Sequence, residues 1–306
     1  MMLSHGRATI LSVIIALGLA FPMDTVTAGG DSTETTDVDV MVLYTQGMVD
    51  KYGADGGLDE HLSNLLSSAN TTLSDSDVHV NFRLTHVQMV DYPDWEDGKT
   101  DRKQTLCHLT YGARELSGVH ELRVEKQADL VVLMRQHDFP LGISCGIAWV
   151  GGENHDSVDA ARDAPYGYAV VTDGSAMING LVTECPAWTL THELGHGFGA
   201  YHVADGGRQL VFPFALGYVD PGRFKTIMAN YAQAEPVALR FSNPDQNNCT
   251  GQRRCGVEDR ADNARTLNTT RQALASFSDA LSGAGMPDDH YPDRFTSKCQ
   301  QHLGGG

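Results

Sequence analysis

The stretch His192-Glu193-Leu194-Gly195-His196-Gly197-Phe198-Gly199-Ala200-Tyr201-His202 fills every fixed position of the pattern H-E-x-x-H-x-x-G-x-x-H. On a helix, residues four apart share a face, so His192 and His196 can aim both imidazoles at one point. Glu193 lies one step round the helix, close enough to reach a water at that point without being a ligand. Gly199 lets the backbone leave the helix at positive φ, as glycine does at helix ends. That turn carries His202 back toward the same point. Three neutral imidazoles with an open fourth position form the donor set of a catalytic zinc, not of a closed structural one. The competing reading is a histidine-rich helix with structural duties alone. It requires all the fixed offsets by chance, on the order of one chain in ten thousand.

Those eleven residues resemble the zinc motif of the metzincin endopeptidases, a family that carries a methionine-containing turn downstream. Thr226-Ile227-Met228-Ala229-Asn230-Tyr231 is similar to that turn, and Met228 stands 228 − 202 = 26 residues after His202. The resemblance implies that Met228 packs beneath the three histidines as an apolar floor and is not a ligand. Four further runs come in the order of reprolysin-like members. They are Asp39-Val40-Met41-Val42-Leu43-Tyr44-Thr45, Cys145-Gly146-Ile147-Ala148-Trp149, Phe241-Ser242-Asn243-Pro244-Asp245 and Ala261-Asp262-Asn263-Ala264-Arg265-Thr266-Leu267-Asn268. Within that group the chain resembles most the bacterial peptidyl-Asp metallopeptidase branch. Two positions depart from relatives: Val203 follows the third histidine where animal reprolysins carry Asp, and Asn230 stands two after Met228. Astacin-like and serralysin-like members place a zinc-binding tyrosine there, and Tyr231 falls one residue later.

The implied fold is of the α/β (α+β) class: a mixed, twisted sheet with helices, the zinc helix at the cleft floor, and a smaller C-terminal lobe ending in a helix. Periodicity agrees. Strands are expected at 38–45, 78–90, 129–134, 145–150 and 167–172, and an amphipathic helix at 56–74 with Leu58, Leu62, Leu65, Leu66, Ala69 and Leu73 on one face. Helices are also expected at 101–117, 119–127, about 187–200 and 259–281.

Residues 1–28 read as a secretory signal peptide: Arg7, an uncharged run from Ala8 to Phe21, then Val26-Thr27-Ala28 for cleavage before Gly29. The domain is expected at 29–283, followed by a tail, 284–306, rich in Gly, Asp and Pro. The apolar run is too short for a comfortable membrane span and no later segment approaches one. The expected localisation is therefore secreted, extracellular or periplasmic. The first strand follows the cleavage point closely and no cysteine precedes Cys107, which leaves no upstream thiol to occupy the metal.

With 22 Lys+Arg and 39 Asp+Glu the formal net charge is −17, and loss of Arg7 and Asp24 with the leader leaves 21 − 38 = −17. Such a surface argues against nucleic acid or anionic lipid as partner. The six cysteines fit an oxidising compartment and admit about 15 pairings. Cys249 with Cys255 closes a tight loop, Cys145 with Cys185 would join a strand to the segment before the zinc helix, and Cys107 with Cys299 would tie down the tail.

The expected function is that of a zinc endopeptidase acting on peptides, with His192, His196 and His202 as ligands and Glu193 as general base. Resemblance implies that substrate lies antiparallel to an edge strand, with Gly146–Val150 the candidate. It also implies a preference for Asp after the cut bond, for which Arg240, the basic residue soon after Met228, is the candidate pocket cation; the alternative is that Arg240 caps a surface and the pocket is apolar. Calcium could bind at Asp245, Asn247 and Asn248 or in the Asp91–Asp101 loop, though a solvated acidic loop accounts for either. The remaining histidines are scattered and receive no metal role, and no G-x-S-x-G supports a serine nucleophile. The alternative from another class is a catalytically silent zinc-containing adhesion module, which has no physical need for Glu193.

Overall fold

Residues 40–44 are continuously apolar, and that composition suits a strand covered on both faces. They belong to β1 (Thr36–Tyr44), flanked on both sides by parallel partners. The structure is a computed structural model and describes residues 34–281 and Cys299, apart from 54, 95–101, 138–144, 179, 205 and 230–234. Alternate side chains of β1 go to opposite cores: Val38, Val40 and Val42 to one, Met41 and Leu43 to the other. The next elements are α1 (Gln46–Tyr52), α2 (Gly57–Asp75) and β2 (Val80–Met89). The expected apolar face of α2 is buried in the first core, with all six leucine and alanine positions covered. Among the described residues β2 pairs with β1 alone, and it is buried on alternate residues only at its start. As an edge strand it is left half in solvent, which its alternating pattern over 78–90 did not distinguish.

Then follow α3 (Arg102–Tyr111), a 3-10 turn at Arg114–Leu116, α4 (Val119–Glu125) and β3 (Leu130–Gln136). β4 (Gly146–Ala148), α5 (Ala160–Asp163), β5 (Tyr168–Ile178), β6 (Leu181–Cys185) and α6 (Thr189–Gly197) complete the upper part. The sheet order is β2-β1-β3-β5-β4, with the first four strands parallel, β4 antiparallel at the far edge, and β6 hairpinned onto β5. Helices α2 and α6 line one face and α3 and α4 the other. Arg123, buried in α4, donates to the carbonyls of Ala128, Asp129 and Ala164 and lies over the Tyr168 ring, locking α4 to the strand starts.

Below the zinc helix a small sheet is made by β7 (Val219–Asp220), β8 (Phe224–Thr226) and β9 (Val237–Ala238). The single helix expected at 259–281 is two, α7 (Asn263–Leu274) and α8 (Phe277–Leu281). Asp262 caps α7 by accepting from the Arg265 amide, which fixes the start four residues later than the pattern suggested. This segment does more than end the lower lobe. Gln272 donates to Thr36, Asn268 accepts from the His79 amide, and Thr270 donates to the Phe198 carbonyl, so α7 joins β1, β2 and the zinc helix.

Cys107–Cys299, Cys145–Cys185 and Cys249–Cys255 are all bridged, with Cα separations of 5.4, 5.3 and 5.0 Å. The leader 1–28 and the tail 284–306, Cys299 excepted, lie outside the described residues. Among those residues no helix is long and apolar enough to cross a membrane.

Candidate metal centre

α6 is short because Gly199 takes φ +90°, and a side chain there would run into Val211 and the Gly151 carbonyl. The chain turns, and the Tyr201 amide donates to Ala215 while Gly217 donates to the Tyr201 and His202 carbonyls. His202 is thereby returned to the helix. His192, His196 and His202 each offer a ring nitrogen within 4.8 Å of the others. The Nε2 atoms of His192 and His202 are 3.3 Å apart, which matches the edge of a tetrahedron with metal–nitrogen bonds of about 2.0–2.1 Å.

The far ring nitrogens are held by backbone. His192 Nδ1 donates to the Ile227 carbonyl at 2.7 Å and His196 Nδ1 to the Ala200 carbonyl at 2.8 Å. Donation from Nδ1 leaves both Nε2 lone pairs facing the common point, the outer hydrogen bonding that orients metal-ligating histidines. Burial is the main reason that His192 is held down at about 3 and His202 at about 4; the charge of His202 adds to the first and that of Arg208 to the second. His196, fully enclosed, is also well below its ordinary value. Neutral imidazoles are the form a metal needs, and the donor set fits zinc.

Met228 is fully buried, and its Sδ stands 2.9 Å from where a Cβ on Gly195 would lie, with Phe241 Cε1 at the same distance. Met228 therefore packs directly against the zinc helix, and the preceding carbonyl, of Ile227, orients His192. Asn230 and Tyr231, at the position of the family's tyrosine ligand, lie outside the described residues.

Glu193 is buried beneath the edge strand: a Cβ on Gly146 would overlap its carboxylate. Its Oε2 has no hydrogen-bond partner among the described residues. Desolvation pushes the metal-free carboxyl up to about 8, opposed by the charge of Arg102. An enclosed carboxylate oxygen without a protein partner, beside an imidazole cluster, has the setting of a group that handles a proton of water.

Two expectations find no support among the described residues. The Arg240 guanidinium does not join the histidines. It donates to the Asp75 carbonyl and to Gln246 Oε1 and pairs with the Asp75 carboxylate at the end of α2. The Arg240 carbonyl accepts from the Ile227 amide, which aligns the segment beside the methionine turn. Calcium also finds no support. Asp94 accepts from the Thr45 hydroxyl and the amides of Gly47 and Gln136, clamping the ends of β1 and β3. Asp245 and Asn247 share their cleft with Arg254, a cation whose charge opposes that of a bound calcium. Residues 95–101 of the first loop lie outside the described residues.

Sequence reading missed Arg208, which pairs with Glu153 and lies over the Tyr201 ring beside His202. Arg208 carries no periodic or motif signal, because it comes from the loop that follows the zinc motif.

A model of metallo-peptidase family M12, of the reprolysin type, matches residues 34–242. A peptidyl-Asp metalloendopeptidase of Pseudomonas aeruginosa is 31% identical over 262 residues, covering 78% of this chain and 40% of the relative. The chain thus spans well under half the length of that relative. A chain from the structure of a chaperone-substrate complex superposes with TM-score 0.57 at 18% identity, covering 80% of this chain and 35% of its own, a likeness of fold alone. With the family's matched region enclosing the helix, the three histidines and the methionine turn, this chain belongs to metallo-peptidase family M12.

Proposed function

We propose that the chain is an exported zinc-dependent endopeptidase, made with a leader at 1–28 and a peptidase domain at 29–283. The observation that carries the reading is the convergence of His192, His196 and His202 with Glu193 enclosed beside them under Gly146. When bound, zinc supplies Lewis acidity and lowers the pKa of water toward about 7. The chain supplies the rest. The three imidazoles are preset as neutral donors by burial and by the Ile227 and Ala200 carbonyls. Glu193, the catalytic residue, takes the proton from attacking water and returns it to the departing amine. The wall of the Gly146 backbone keeps bulk water from the carboxylate.

Peptide is held by strand addition to the outer side of β4, which among the described residues pairs with β5 alone and closes the sheet at that edge. The three disulfides are those of an oxidising compartment and support export. The relative's printed activity supports a preference for Asp beside the cut bond. Chelation tests the reading. Removing zinc should abolish cleavage of a peptide library and restoring it should bring cleavage back, whereas full cleavage by a verified metal-free sample would end it. A zinc-loaded protein that binds but cuts nothing would instead support the adhesion module.

A further inference from the structure

We infer that Glu153 and Arg208 are a positioning pair for the third zinc ligand, a salt bridge that ties the loop carrying His202 to the segment that follows β4. This deepens the zinc-site reading and rests on it. Beyond His202 the described residues up to Val211 form neither helix nor strand, so the loop is held by what it meets elsewhere. Two of its residues reach back to the segment after β4. The Asn154 amide donates to the Gln209 carbonyl at 2.9 Å, and Arg208 Nη1 donates to Glu153 Oε1. Val211 fills the gap between them, lying where a Cβ on Gly199 or on Gly152 would stand. The Gly151 amide donates to the His196 carbonyl at 2.9 Å. One short segment, 151–154, thus holds the backbone of the second ligand and the loop of the third.

The side chains carry this connection through to the imidazoles. Residues 154–157 are exposed, yet the Glu153 side chain just before them is only 10% exposed. A carboxylate is brought under cover in this way where a cation meets it. The guanidinium that meets it lies 5.6 Å from the centroid of the Tyr201 ring and donates to the Tyr201 hydroxyl. The Tyr201 ring stands 4.7 Å from the ring of His202 and 5.8 Å from that of His196. Contacts therefore run unbroken from Glu153 through Arg208 and Tyr201 to two of the three ligands. The Tyr201 backbone is fixed independently, its amide on the Ala215 carbonyl at 2.7 Å and its carbonyl accepting from Gly217 at 2.9 Å. What remains is rotation of the side chain, and the bridged guanidinium restrains it. An exposed ion pair adds little to stability. This one is covered at its carboxylate and ends on the ligands, where an outer partner sets how well a metal is held.

The test reads zinc binding in the full chain, by competition with a chelator, and needs no substrate. Arg208→Met and Glu153→Gln should each weaken zinc binding by about ten- to hundredfold. The double variant should lose no more than the worse single one, because either change breaks the same contact. Arg208→Lys, which keeps the charge, should recover part of the loss. Cobalt in place of zinc adds a readout of ligand geometry: its visible absorption should change in Arg208→Met and return toward wild type in Arg208→Lys. Circular dichroism of the metal-free variants separates this from unfolding, and Glu153→Gln, which keeps size and shape, serves if Arg208→Met does not fold. Affinity within about twofold of wild type in the folded variants would make the bridge a surface contact, and losses that multiply in the double variant would make the two residues independent; either result overturns the inference. Should the wild type cut no peptide while the zinc losses hold, the hydrolytic reading falls and the inference stands. A wild type that holds no zinc overturns both.

Discussion

At the residue scale the site turns on what burial does to four titratable side chains. Glu193 and the histidines sit where charge is disfavoured, so the metal-free cluster is an assembly of neutral groups. A cation at the centre reverses the balance for Glu193 alone, since only a carboxyl gains from a positive neighbour. Glu193→Gln keeps size and removes the base. It should retain zinc by metal analysis while kcat falls on the order of a hundredfold or more; near wild-type turnover would assign the proton to another group. Arg240 offers the contrast. Its partners are Asp75 and Gln246, so Arg240→Ala should cost about 0.5–1.5 kcal/mol in urea unfolding and leave the Asp-to-Asn cleavage ratio unchanged.

Among elements, the edge strand and the zinc helix have to be held in register, and the chain does this covalently. Cys145 precedes β4 and Cys185 ends β6, four residues before α6 begins. That bridge closes a loop with a sequence separation of 40 and passes beside buried His137, whose Nε2 meets the Thr183 hydroxyl at 2.6 Å. The loop-entropy account assigns it about 4 kcal/mol. Replacing both cysteines by serine should lower the thermal midpoint and reduce kcat/KM through loss of the Gly146–Glu193 contact. A variant of unchanged activity would show that the sheet hydrogen bonds alone position β4. The hairpin of β5 and β6 was absent from the sequence reading, in which the strand pattern stopped at Thr172.

For the whole molecule, the same burial sets how stability responds to pH in the metal-free state. Glu193 has a folded value of about 8 against an ordinary 4.5, so between those limits the unfolded chain releases a proton that the folded chain keeps. Its contribution is fully present below about 4.5 and is lost as pH rises toward 8. The histidines are depressed from 6.5, so they penalise folding as pH falls from 6.5 toward 3–4. Acidification from 8 to 6.5 should therefore stabilise the metal-free protein through Glu193, and further acidification should destabilise it, three histidines outweighing one carboxyl. Urea midpoints across pH 4–8 check this. The rising limb should vanish in Glu193→Gln, and a limb that persists there would trace it to other groups.

The sequence by itself determined the local physics of the site. Fixed offsets along one helix place His192 and His196 on one face, and only a glycine at 199 makes the return to His202 inexpensive, so the ligand set was legible without coordinates. The β1, α2 and β3 segments were equally legible, because burial on two faces or one leaves a periodic trace in residue type. The three cysteine pairings were named as expectations, although spacing alone left many pairings open. What the tertiary structure decided was every relation across distant segments. It sent the Arg240 guanidinium to Asp75 instead of the cleft, used Asp94 as a clamp where calcium had been considered, and divided the last helix. It also brought Gly146 to Glu193. These depend on how strands pair and how helices lie on them, and a side chain's charge or size carries no record of which remote partner it will meet.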